Sequence, residues 1–296
     1  MTNLTYVVYA ALIVPWIFLF GVLATWQWLY RHRKRRSPLT SSLMRLAGYS
    51  TGKMADDMTL NLTIYLAFLP AFPLMLLGLQ AVRAYQQGWP SFWAHEGFLY
   101  TGVAIAGVLV FTALSVWQFK RRQKVLEGLE AEIAVAQELD WLKARSCSVF
   151  HDLPANKFNI DHVVVGPAGV FAVETKSRLK PVTGSGRRDA TVTFDGARLR
   201  FPGWSEVKPL QQAAWQARWL SGFLSKATGE AVRAIPTLAL PSWFVEKTGS
   251  TEVMVINSKN CTFMARPMAG RQALSPEQIR RISYQLEQRC VIPERD

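Results

Sequence analysis

Residues 159–176 read Asn-Ile-Asp-His-Val-Val-Val-Gly-Pro-Ala-Gly-Val-Phe-Ala-Val-Glu-Thr-Lys: two runs rich in Val, Ile and Phe, separated by Gly166-Pro167-Ala168-Gly169. Apolar runs joined by such a turn sequence predict an antiparallel hairpin. Pairing Val165 with Val170 carries Val163 to Ala172 and sets Asp161 opposite Glu174. Opposed residues share a face, as do residues two apart on one strand, so Lys176 joins the two acids. The other face takes His162, Val164, Phe171 and Val173. Both faces are mainly apolar, as in a strand pair at the centre of a covered sheet.

Charges set into such a sheet are costly unless something balances them. A divalent cation would do so. Carboxylate oxygens completed by waters and phosphate oxygens suit Mg2+, which rarely has an all-protein cage, and Mn2+ is a possible substitute. A structural ion pair of Lys176 with either acid accounts for the same residues equally well.

Asp161, followed by Glu174-Thr175-Lys176 at the end of the next strand, resembles the PD-(D/E)xK nuclease signature. More narrowly, Ile160-Asp161-His162-Val163-Val164-Val165-Gly166-Pro167-x-Gly169-Val170-Phe171 resembles the NERD domain, the nuclease-related domain of that superfamily. The helix-like segment Gly128-x-x-Ala131-Glu132-x-x-Val135-x-x-x-Leu139 is similar to the Gly-x-x-Gly-Glu helix that opens this domain, with Ala131 in place of the second glycine. Pro209-Leu210-Gln211-Gln212 is similar to its Asn-Pro-x-x-Gln motif, with Lys208 in place of the asparagine.

The resemblance implies an α/β fold with a restriction-endonuclease-like core sheet flanked by helices. It also implies metal-dependent hydrolysis of phosphodiester bonds. Asp161 and Glu174 would hold Mg2+, with the Thr175 carbonyl and Glu132 in support. Lys176 would orient or deprotonate the attacking water, and Gln212 would hydrogen-bond a metal-bound water or a phosphate oxygen. His162, on the opposite face, is left out of catalysis.

Working outward, the 296 residues are half hydrophobic, and the apolar ones crowd into the first 119. Residues 4–30, 60–82 and 98–119 are apolar runs without Asp, Glu, Lys or Arg. Each is long enough to cross a hydrocarbon core of about 30 Å. Three spans are expected, the second kinked at Pro70 and Pro73. The first run ends in Trp26, Trp28 and Tyr30 without a small-residue cleavage site, so it reads as a span with an interfacial belt rather than a signal peptide. Basic clusters at 31–36 and 120–124 place both of those ends in the cytoplasm, the amino terminus outside, and residues 123–296 inside a cell membrane. The domain division expected is a membrane part, 1–122, and a cytoplasmic nuclease part, 123–296. The connection between the first two spans reads as a linker without chemistry.

The net charge of +13 invites a nucleic-acid reading, although juxtamembrane arginines also attract anionic lipid. The basic loop after Lys176, with Arg178, Lys180, Arg187 and Arg188, lies where a phosphate backbone beside an acidic site would need neutralising. Cys147, Cys261 and Cys290 are widely spaced, which indicates neither a disulfide framework nor a zinc site. Strands are expected at 146–153, 191–194, 198–201, 231–240 and 252–256. Helices are expected at 123–144, 205–227 and 275–290, the last opened by Ser275-Pro276.

The sequence therefore reads as a membrane-anchored, metal-dependent nuclease. The alternative is a non-catalytic membrane module that uses the same fold to bind nucleic acid or a protein. The implied partners are nucleic acid, DNA ahead of RNA, and the lipid bilayer; a homodimer is compatible. A transporter is disfavoured because no span carries an internal charge.

Overall fold

The computed structural model describes residues 43–249, 252–270 and 272–292, together with scattered positions between 10 and 29. The chain divides into two units, Met1–Thr40 with Asp56–Gln123, and Ser41–Ala55 with Lys124–Asp296.

Two helices whose apolar parts lie in the first unit are long and apolar enough to cross a membrane: α1, Tyr49–Gln87, and the stretch Trp89–Arg145 that contains α2, Phe98–Asp140. Proline at 70 and 73 lies inside α1, as the sequence leads one to expect. Within this unit Phe68 stacks on Phe111 at 5.5 Å, and Arg122 Nε donates to Thr59 Oγ1 at 2.7 Å. Leu60, Phe98, Leu99 and Leu109 are each more than 60 % exposed, more apolar surface than water alone favours. Of the expected first span, the described positions, Ile17 and Trp26 among them, are helical. The remainder of residues 4–30 lies outside the described residues, as does the basic cluster at 31–36.

The second unit is a mixed α/β structure. Its main sheet has the order β1 (Ser148–Pro154), β2 (Asn159–Gly166), β3 (Gly169–Thr175), β7 (Ala234–Ala239), β9 (Met254–Ile256). The first three strands are antiparallel and the last three parallel. The register is the one the turn dictates, with Val165 opposite Val170, Val163 opposite Ala172, and a closing pair Gly166 and Gly169. Gly169 has φ +127°, a conformation that favours glycine. On one face of the sheet, Val135 and Leu139 of α2 cover Val164, Phe171 and Val173. On the other, α3 (Lys208–Thr228) and α4 (Pro276–Cys290) cover Val163, Val165, Val170 and Ala172 through Ala217, Leu220, Leu224 and Leu286. Helix α4 starts with a capping box, in which Ser275 accepts from Gln278 N while the Gln278 side chain accepts from Ser275 N.

A smaller sheet has the order β6 (Trp204–Glu206), β5 (Leu199–Phe201), β4 (Thr191–Phe194), β8 (Phe244–Lys247). The turn between β4 and β5 is held by Asp195 Oδ1, which accepts from Ala197 N and Arg198 N. Two of its strands correct the sequence reading. Ser205 and Glu206 belong to β6 rather than to the following helix, which begins at Lys208 with Pro209 in its first turn. Strand β8 is not among the expected strands: it pairs in parallel with β4 from far along the chain, so no adjacent hairpin turn marks it.

The segment Ser41–Ala55, between the first two apolar runs, lies with the second unit. Arg45 N donates to Cys290 O and Ile292 N to Leu43 O, so Met44 bridges Val291 in an antiparallel pair. Arg45 NH1 reaches Asp152 Oδ2 at 2.9 Å, and Ser50 Oγ donates to the same carboxylate at 2.6 Å. Asp152 is 3 % exposed and sits at φ +48°, a left-handed conformation that costs a non-glycine residue energy unless its surroundings hold it there.

Candidate active site

Strands β2 and β3 end side by side, and their register, continued one step past His162 and Val173, sets Asp161 against Glu174. The backbone N–H of Thr175 donates to Asp161 Oδ2 at 2.7 Å, which fixes that carboxylate at the strand end. Glu174 is 2 % exposed and engaged at both oxygens: Lys176 Nζ lies 2.5 Å from Oε1, and Gln216 Nε2 donates to Oε2 at 2.6 Å. The Gln216 amide also reaches Asn159 O at 3.3 Å, tying α3 to the first residue of β2. Lys176 remains partly accessible, as does Asp161, so the cluster opens to solvent along one side.

Glu132 enters from α2. Its Oε1 accepts from Thr51 Oγ1 at 3.0 Å, a contact supplied by the 41–55 segment that the sequence reading held to be a linker. Burial, with Asp152 and Glu174 adding to it, pushes the Glu132 carboxyl up to about 7 against the opposing Thr51 bond and Lys176. Asp161 is likewise held well above the usual carboxylate range, first by burial and then by the charges of Glu174 and Glu132. Three carboxyl groups gathered in this way create a site with a demand for positive charge.

Of the residues expected from sequence, Asp161, Glu174, Thr175, Lys176 and Glu132 are brought together. Gln212 is not: it is exposed on α3, and the amide that reaches Glu174 is Gln216, one turn further on. The signal was present, because Gln216 sits within the buried stripe Leu210, Ala213, Ala217, Leu220 and Leu224 as its polar member. Arg178 also requires correction. Its Nε and NH2 form a bidentate pair with Glu206 at 2.8 Å each, and NH1 donates to Ser177 O, so the guanidinium straps the loop to β6 instead of awaiting phosphate. Lys180 lies over the Trp243 ring and Arg187 over the Phe244 ring, at 5.9 and 4.6 Å. Arg187 and Arg188 line one groove with Arg200 and Thr193 on the outer face of the small sheet.

Among the described residues no group of three or more His, Cys, Asp and Glu side chains is arranged to hold an ion alone. The donor set nevertheless fits a hard cation that shares its coordination with water and substrate. Asp161 and Glu174 supply carboxylate oxygen, and beside them the oxygen of the Gln216 amide that donates to Glu174 is buried without a hydrogen-bond partner. Such an atom calls for an explanation in a folded protein, and a hydrated cation provides one.

On the opposite face, His151 and His162 join through their Nδ1 atoms at 2.9 Å, and His151 Nε2 meets Asp140 Oδ1 at 3.1 Å. Burial lowers both histidines, His162 well below the ordinary value. The native state therefore binds fewer protons here than the unfolded chain, whose histidines titrate near ~6.5. Their stabilising contribution is present above that pH and is lost as pH falls. Asp161 and Glu132 have the opposite sign, so a comparison of variants isolates the histidines. His151→Asn keeps a hydrogen-bonding group at the Nδ1 position without the titration, and its melting temperature should fall less between pH 7.5 and 5.5 than the wild type's. Equal slopes would mean that the pair carries no acid sensitivity.

Residues 127–241 match the family model described as the nuclease-related domain, NERD. No curated protein and no solved structure matches the chain. The match takes in both strands of the central hairpin, α3 and the end of α2, and stops short of the 41–55 segment. The stretch that carries Glu132, Asp161, Glu174, Lys176 and Gln216 is thus similar to the nuclease-related domain.

Proposed function

We propose that the protein is a membrane-anchored, metal-dependent nuclease that hydrolyses phosphodiester bonds, of DNA in preference to RNA. The observation that carries this reading is the convergence of Asp161, Glu174 and Lys176 at one accessible end of an otherwise buried hairpin. A hairpin kept only for its fold has no need of two acids and a lysine there.

Mg2+ held by Asp161 and Glu174, with the Thr175 carbonyl and Glu132 in support, would supply charge stabilisation at the phosphate and a more acidic water. The protein's own groups prepare that site. Thr175 N–H holds the Asp161 carboxylate in place, and Gln216 does the same for Glu174. Lys176 sets a positive charge beside the cluster, where it offsets the phosphate's negative charge. Glu132 faces the same cluster from α2, with its Oε1 held by Thr51. Exposed Arg187 and Arg188 supply phosphate contacts that set the position of a strand without reading its sequence.

The two exposed apolar helices support anchoring in a bilayer, and the basic residues at 120–124 favour a cytoplasmic position for the domain. The test is cleavage of supercoiled, linear and single-stranded DNA, with an RNA control, by the detergent-solubilised full chain. Cutting is expected with Mg2+ and none with EDTA, and calorimetry should show Mg2+ binding in the absence of substrate. Failure to bind the ion and to cut any of the four substrates would leave the binding-module reading in its place.

A further inference from the structure

Helix α3 carries, beside the buried stripe that bears Gln216, a second row made of Trp215, Trp219 and Phe223. Trp219 and Phe223 stack with centroids 5.6 Å apart and planes within 5°. Phe158, from the turn before β2, lies 4.1 Å from the Trp215 ring and 5.5 Å from Trp219. Arg289 closes the far end, 5.3 Å over Trp219 and 4.8 Å over Phe223. The near end adjoins the candidate site along the chain: Trp215 precedes the glutamine that holds Glu174, and Phe158 precedes the asparagine whose carbonyl accepts from that glutamine. At this end Trp215 remains 48 % exposed.

We propose that Trp215, backed by Phe158, is a stacking platform for an unpaired base, so that the strand presented to the site is single-stranded or locally unpaired nucleic acid. The inference rests on the nuclease reading for the neighbouring carboxylates and goes beyond it in naming the form of the substrate. A duplex keeps its bases stacked on one another and offers an exposed indole only its phosphates and groove edges. An unpaired strand offers π faces that stack on any aromatic ring whatever the base. The charge around the row suits a polyanion: Lys157 and Arg218 are exposed beside Phe158 and Trp215, and Arg289 supplies a cation at the other end. A lipid surface is the other chemistry that tryptophan and arginine serve, but it gives no reason for the row to begin at the acidic cluster.

The test uses the full chain in detergent with EDTA present, so that binding is read without cleavage. Affinities for a fluorescein-labelled 12-nucleotide oligothymidine and a 12-base-pair duplex are measured by anisotropy at one salt concentration. Loss of stacking on one base corresponds to about 5- to 150-fold in affinity. Trp215→Ala and Trp215→Gln should weaken the single strand within that range and the duplex less than about twofold, while Trp215→Phe retains most of the single-strand affinity. Equal weakening of both ligands, no weakening, or no binding of the single strand by the wild type would overturn the proposal. So would reduced partition onto anionic vesicles with unchanged oligonucleotide affinity. A wild type that binds the strand through Trp215 but does not cut it with Mg2+ would remove the nuclease reading and keep the platform. One that cuts while ignoring the Trp215 variants would do the reverse.

Discussion

Asp161→Asn is expected to reduce phosphodiester cleavage by about three orders of magnitude or more while leaving the protein as stable as the wild type or more so. The two effects come from the same placement. Loss of a group that stabilises transition-state charge costs about 3–4 kcal/mol, or 10²–10³ in rate, and the missing carboxylate also weakens the bound ion. Stability moves the other way. Asp161 is desolvated and faces Glu174 and Glu132, which is why its carboxyl stands well above the ordinary range. A group whose folded pKa is raised is most favourable to the native state when protonated, and its penalty grows as pH rises through the folded value. Asparagine removes that penalty and can still accept from Thr175 N–H through its side-chain oxygen. Cleavage rates and melting temperatures measured together at pH 7.5 check both halves. A variant that loses activity only because it melts early would show that Asp161 holds the fold and not the chemistry.

Arg45→Met should lower the stability of the second unit by about 3 kcal/mol, near the lower end of what leaving a buried charge unpaired costs. Asp152 is buried, sits in a left-handed conformation, and is held by Arg45, Ser50 and Asn159. Removing the guanidinium leaves two neutral donors against a carboxylate with little access to water. For a unit of this size the loss corresponds to about 6–12 °C in melting temperature, a large share of a typical margin of about 5–15 kcal/mol. Near-UV circular dichroism of the solubilised protein reads the shift. Asp152→Asn in the same chain should recover part of it, because the unpaired charge is then gone. If the double variant is no better than Arg45→Met alone, packing of the arginine stem rather than charge accounts for the loss.

The central hairpin could be read in advance because its information is local. Turn, register and face follow from eighteen consecutive residues, and the structure reproduces the Val165 and Val170 pairing on which the opposition of Asp161 and Glu174 depends. The start of α4 at Ser275-Pro276 was legible for the same reason. What sequence left undecided involves partners far apart along the chain. Arg178 and Glu206 carry no mutual signal across the residues between them, so a charge that belongs to an internal strap looked like one available to phosphate. Gln212 and Gln216 differ by one helical turn, and only the direction of the buried stripe separates them. The contributions of Arg45, Ser50 and Thr51 were the least visible, because a short polar segment between two apolar runs has neither period nor motif.

The pairing of Met44 with Val291 has a consequence for the order in which the protein is made. The two strands of that bridge are separated by nearly the whole chain, and the segment at 43–45 leaves the ribosome long before residue 292. Until then Asp152 lacks the neighbours that the closed segment provides, and the edge strand β1 lacks the α4 helix that covers it. Contacts of such long separation form late, after the loop-closure entropy of the intervening chain has been overcome. The second unit is therefore completed last at the end that touches Glu132. A chain stopped before residue 290 would carry Asp161, Glu174 and Lys176 but not the closed frame in which Thr51 reaches that glutamate.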